Sequence, residues 1–134
     1  MSITKGFGIA ASGMQAQRVR LHTVASNLAN AETTRTADGG PYQRQIPIFQ
    51  AVDTSKGGSG VRVASIEEDV AEGPSVFDPG HPDADQDGFV RMPNVNVVEE
   101  MVDMMTASRS FEANTQAFQT MREMARQAIE IGRG

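Results

Sequence analysis

The densest run of potential ligands in this 134-residue sequence is Asp83-Ala84-Asp85-Gln86-Asp87-Gly88, which sets carboxylates at alternate positions ahead of a glycine. Loops that wrap Ca²⁺ open this way. The pattern then fails: its twelfth position is Asn94 where a bidentate glutamate belongs, Pro93 adjoins it, and the residues before it are rich in proline. We therefore read an acidic, solvated turn with Asx-type hydrogen bonds, in which Asp85→Ala is nearly silent structurally. Weak cation binding by Asp83, Asp85 and Asp87 is the competing reading, and no cofactor is expected.

Imidazole chemistry has two candidates. His81 lies between Gly80 and Pro82 and belongs to a turn, while His22 follows Leu21 on a helix flank. The chain has no cysteine, which excludes thiolate nucleophiles, zinc-thiolate sites and disulfides. No serine occupies a nucleophile elbow and no glycine-rich loop ends in Lys-Ser/Thr. The chain reads as no enzyme, with no small-molecule substrate. Twelve Lys and Arg against seventeen Asp and Glu give a net charge of -5, which opposes the tracking of phosphates and excludes nucleic acid as a partner. Neither a cleavable signal peptide nor an apolar run of bilayer-spanning length is evident.

With catalysis set aside, the elements carry the information. All six prolines fall between Pro41 and Pro93, and eight of the thirteen glycines lie between Gly39 and Gly88, so the middle reads as turns and short strands. Residues 2–31 and 95–131 lack proline and read as helices. In the first, Ile3, Phe7, Ala10, Met14, Leu21, Val24 and Leu28 recur with 3,4 spacing, broken at Gln17. In the second, a weaker seam runs through Val97, Met101, Met104, Ser108, Phe111, Thr115, Phe118, Arg122, Ala125 and Ile129, widened by Met105, Met121, Met124 and Ala128. This is the repeat of a coiled-coil seam. Asn96 with Glu99 three residues later forms a capping-box start, and Glu100 and Asp103 suit the positive end of the helix dipole. Gly6, Gly8 and Gly13 each cost about 1 kcal/mol of helix propensity, so that end is expected to fray.

A pair formed by these helices must close a middle of about 63 residues, at about 3.7 kcal/mol, and leaves one flank of each stripe wet. Further copies or partner chains would cover it. In the middle, Tyr42–Val52, broken by Pro47, reads as an edge strand, followed by a Gly57-Gly58-Ser59-Gly60 turn and a strand over Val61–Ile66. Short strands at Ser75–Phe77 and Gly88–Arg91 are expected to join this hairpin. Residues 67–87 carry eight acids and no Lys or Arg, whereas residues 1–31 carry Lys5, Arg18 and Arg20 and no acid. That asymmetry favours contacts between copies.

Ser26-Asn27-Leu28-Ala29-Asn30-Ala31-Glu32-Thr33 resembles the signature at the exit of the first helix in flagellar axial proteins, the family of rod, hook and hook-associated proteins. Asp78-Pro79-Gly80-His81-Pro82-Asp83-Ala84-Asp85, Gly88-Phe89-Val90 and Met92-Pro93-Asn94-Val95-Asn96 are similar to a stretch peculiar to its proximal-rod branch. Gly39-Gly40-Pro41-Tyr42 and Ser110-Phe111-Glu112-Ala113-Asn114 extend the resemblance over nearly the whole chain; Gln86 and Phe89 depart mildly from the pattern.

The resemblance implies a mainly α fold with a small antiparallel β middle. Residues 1–33 and 95–134 would form the inner helical layer of a rod, and residues 34–94 would lie outside with the acidic loop. Phe7, Met14, Leu21, Val24, Leu28, Met101, Met104, Phe111, Phe118, Met121 and Ala125 are the expected assembly interface. Ser26, Asn27, Leu28, Asn30 and Thr33 would shape the exit from the first helix, with Phe111 and Asn114 on its partner. Implied partners are other copies, other rod proteins, the rod-to-membrane-ring junction and the type III export apparatus, with export without a cleaved signal peptide and torque carried along the rod. Phe118→Asp is expected to block incorporation. Two competing readings are a Ca²⁺-responsive binding module and a helix-binding cytosolic adaptor.

Overall fold

The computed structural model describes residues 2–53 and 57–134. Helix α1 spans Ile3–Ala29, strands β1 and β2 span Gln45–Asp53 and Ser59–Glu68, strands β3 and β4 span Ser75–Phe77 and Phe89–Arg91, and helix α2 spans Val97–Arg133. Among the described residues, no helix is long and apolar enough to cross a membrane.

The two helices pack antiparallel within one chain. Phe7 meets Phe118 edge to face, with ring centroids 4.8 Å apart, the Thr115 hydroxyl donates to Met14 Sδ at 3.3 Å, and Arg20 pairs with Asp103. Asn27 donates to Glu100 at 3.1 Å. Gly6 and Gly13 of α1 face the second helix closely. A Cβ on Gly13 would stand 2.9 Å from Asn114 Oδ1, and one on Gly6 would collide with Met121 Sδ. Ala10, Ala16 and Ala107 are buried, so small side chains line the close approach.

At the start of α2, the Asn96 carboxamide accepts from the backbone N–H groups of Val98 at 3.1 Å and Glu99 at 3.3 Å, capping the helix as its spacing predicts.

Strands β1 and β2 form an antiparallel hairpin with a register shift between Ile48 and Phe49. Pro47, with no N–H to donate, is accommodated because the sheet has only these two strands, each with a free edge. The hairpin lies along α1: Gln45 bonds to Asn27 near one end of the helix, and Val61 N–H donates to Ser12 Oγ toward the other. The hairpin tip at 54–56 lies outside the described residues.

The expectation that the short strands join this hairpin is corrected. β3 pairs with β4 in a separate sheet. Asp69 N–H donates to Arg44 C=O beyond the hairpin, and the chain then turns away, passing so close to Met92 and Pro93 that a Cβ on Gly73 would collide with their backbone. Val90 is buried beneath the second sheet, while Phe77 and Phe89 stack on its other face.

Candidate assembly interface

Where α1, α2 and β1 meet, the side chain of Asn27 fills all four of its hydrogen-bonding positions. Its Oδ1 accepts from Gln45 N–H at 2.9 Å and from Tyr42 Oη at 2.9 Å, and its Nδ2 donates to Gln45 C=O at 2.9 Å and to Glu100 Oε2 at 3.1 Å. Toward Gln45 the carboxamide substitutes for a neighbouring strand's peptide group, which is how a helix receives the start of a hairpin without orphaning backbone polar groups.

Glu100 is 0% exposed. Its second oxygen accepts from Arg44 Nε, and this bond raises the already high pKa of the guanidinium. A buried carboxylate is tolerable only when paired and hydrogen-bonded, and here both oxygens have donors. The sequence assigned Glu100 and Asp103 only to the helix dipole. Glu100 does lie in the first turn, but it is also a buried link between three elements, and Asp103 pairs across the helices with Arg20.

Asn94 repeats the device beside it, accepting from Arg44 N–H at 2.7 Å and donating to Asp69 C=O at 2.8 Å and Ala71 C=O at 2.9 Å. Asn30 Nδ2 donates to Ser26 C=O at 2.9 Å, and the Thr33 hydroxyl donates to Asn30 Oδ1 at 3.1 Å, which closes the turn after α1.

Of the seam residues expected to form the interface, Val24 is buried, while Phe7, Met14, Leu21, Leu28, Met104, Phe111, Phe118, Met121 and Ala125 are half-buried. Met101 is exposed. It shares the outer surface of α2 with Val98, Val102 and Met105, which no described residue covers.

In the acidic loop the carboxylates are directed at protein groups. Asp83 accepts from the Thr34 hydroxyl at 2.6 Å and pairs with Arg35. Those contacts, the Thr34 bond foremost, hold its carboxyl below the usual value. Asp85 Oδ1 accepts from the N–H groups of Asp87 and Phe89, each at 2.9 Å. These are the Asx-type bonds expected of the turn, and the second of them ties the Asp85 carboxylate to the first residue of β4. His81 Nδ1 accepts from Asp83 N–H at 3.0 Å within the Gly80–Pro82 turn, Pro93 is buried, and His22 is exposed on α1. Among the described residues, no group of three or more His, Asp or Glu side chains is arranged to hold a metal ion.

The family described as flagella basal body rod protein matches residues 7–35, and that described as flagellar basal body rod FlgEFG protein C-terminal matches residues 86–131. The two matches fall on the two helices and their junctions with the middle. A flagellar basal-body rod protein FlgC of Borreliella burgdorferi is 42% identical over the whole of both chains. The FlgC of Aquifex aeolicus is 46% identical over 97% of each chain, and that of Salmonella typhimurium is 44% identical over 98% of this chain and 99% of its own. With identity at this level running from end to end, the chain belongs to the FlgC family of flagellar basal-body rod proteins.

Proposed function

We propose that this protein is a structural subunit of the proximal rod of the bacterial flagellum. It is not an enzyme, and its family is one of structural rod proteins. In this reading residues 1–33 and 95–134 pack with other copies and other rod proteins as an inner helical layer, and residues 34–94 lie outside. The rod spans the periplasm, meets the membrane ring at its base and carries torque along interlocked helices. The subunit reaches it through the type III export apparatus without a cleaved signal peptide.

One observation supports the assembly role most directly. The outer face of α2 is apolar and uncovered: Val102 is 58% exposed, with Val98, Met101 and Met105 beside it. Burying such a face is worth about 25 cal/mol per Å². Contacts of one face with a different face on the next copy extend as an open helix where the rotation between copies does not close, as a helical tube requires.

Electron microscopy of basal bodies from a strain lacking the gene tests the role. Missing rods, restored by the wild-type gene, are the expected result, and complete rods would overturn it. Val102→Asp, exposed and away from Phe7, should leave the chain folded and prevent restoration. Phe118→Asp is a poorer test, because Phe118 already packs on Phe7 within the chain.

A further inference from the structure

We propose that Met101 and Met105 form an oxidation site on the outer face of α2, where a hydroperoxide converts both thioethers to sulfoxides without unfolding the chain and makes polar the strip they share with Val98 and Val102. The chemistry stands on the placement of the methionines alone; its consequence for assembly rests on the rod-subunit reading.

Spacings of three, four and seven residues put Val98, Met101, Val102 and Met105 on one face of α2. Met101 is 54% exposed and Met105 60%, on a strip that no described residue covers. The residues that hold α2 to the rest of the chain lie on its other side, where Glu100 and Ala107 are buried and Met104 is half-buried. A small oxidant therefore reaches Met101 and Met105 with every element in place.

The methionines of the seam are the contrast. The Thr115 hydroxyl donates to Met14 Sδ at 3.3 Å, which engages a lone pair of that sulfur. Met121 Sδ lies against α1, where a Cβ on Gly6 would collide with it. Both side chains are half-buried. An oxygen added to either sulfur must fit between two packed helices, so these thioethers react only through openings of the helix pair. Met124, 55% exposed farther along α2, is an accessible methionine outside the strip.

In the reaction a sulfur lone pair attacks one peroxide oxygen, the S–O bond forms as the O–O bond breaks, and proton transfer to the departing oxygen releases water when the oxidant is hydrogen peroxide. The thioether gives up two electrons and the peroxide is reduced by them. The product side chain is polar and chiral. On the outer face its oxygen meets solvent, so the Asn96 cap and the Glu100 contacts keep their partners. What changes is the strip, where burying a sulfoxide against an apolar neighbour costs the hydration of its oxygen. A methionine sulfoxide reductase would reverse the change.

Treating the full-length chain with hydrogen peroxide and mapping its peptides by mass spectrometry reads the site. Expected is oxidation of Met101 and Met105 at least about fivefold faster than of Met14 and Met121 and close to the rate of Met124, with the difference abolished in concentrated urea. Equal rates in the folded chain, or a difference that persists in urea, would overturn the site. Protein oxidised only at its exposed methionines should unfold at the wild-type urea midpoint, and a midpoint lowered as far as by oxidation of Met14 and Met121 would overturn the survival of the fold. In cells, Met101→Gln/Met105→Gln, which imitates the polarity of the sulfoxides, should fail to restore rods that Met101→Leu/Met105→Leu restores. A glutamine pair that folds and builds rods as well as the leucine pair would overturn the consequence for assembly and leave the subunit role standing. Complete rods in a strain with no copy of the gene would overturn the subunit role and leave the peroxide chemistry to be judged on its rates.

Discussion

Asn27 shows how much one side chain decides here. Only a primary carboxamide accepts from two groups while donating to two others, so no isostere preserves all four bonds. Asn27→Asp turns two donors into acceptors and sets a carboxylate against Glu100 and Gln45 C=O. We expect a loss of about 3–5 kcal/mol in urea unfolding of the full chain, the range for a disrupted buried charge network. A loss below about 1 kcal/mol would mean that Arg44 alone satisfies Glu100. Asp83 gives a milder, pH-dependent case. Its folded-state pKa is depressed below the reference value of 3.8, so its contribution is complete well above that value and disappears as pH falls through the lower folded value. Carboxyl ¹³C titration should therefore show Asp83 protonating below that reference value, and Thr34→Val should move its curve to higher pH. An Asp83 curve that Thr34→Val leaves unmoved would refute the Thr34 contact.

At the scale of elements, Gly6 and Gly13 of α1 act through the distance between helices, and Gly8 does not. Helix propensity alone predicts that replacing any of them by alanine stabilises the chain by about 1 kcal/mol. A Cβ at Gly8 meets nothing within 4 Å, and Gly8→Ala should realise that gain. At Gly13 the same methyl group presses on Asn114, whose Nδ2 donates to Ser110 C=O at 2.8 Å, and Gly13→Ala should lower the thermal midpoint. Equal shifts for the two variants would show that α2 yields readily. The helices were legible because the 3,4 spacing and the confinement of proline to the middle mark them from short-range pattern alone. Their close approach was not, since glycine in a helix looks the same whether or not a neighbour lies over it. Glu100 was misread for a related reason: an acid in a first helical turn is ordinarily solvated, and its partner Arg44 is 56 residues away. The pairing of β3 with β4 likewise depends on the loop closed by Asp85, whose two backbone bonds no periodicity announces.

Across the whole molecule, tight packing is concentrated where three elements meet and thins toward the far end of α2. Val24, Asn27, Glu100 and Ala107 are buried near that junction, whereas Met124, Ile129 and Ile131 are exposed. Long helices draw most of their stability from packing of an apolar face, so protection should follow the same gradient. Hydrogen exchange on the dilute full-length chain should find the slowest amides around residues 23–27 and 103–107, and the fastest helical amides over residues 125–133. If residues 125–133 were already well protected in the dilute chain, some surface of the same molecule would be covering Ile129, and that end would have no apolar face to offer a neighbour.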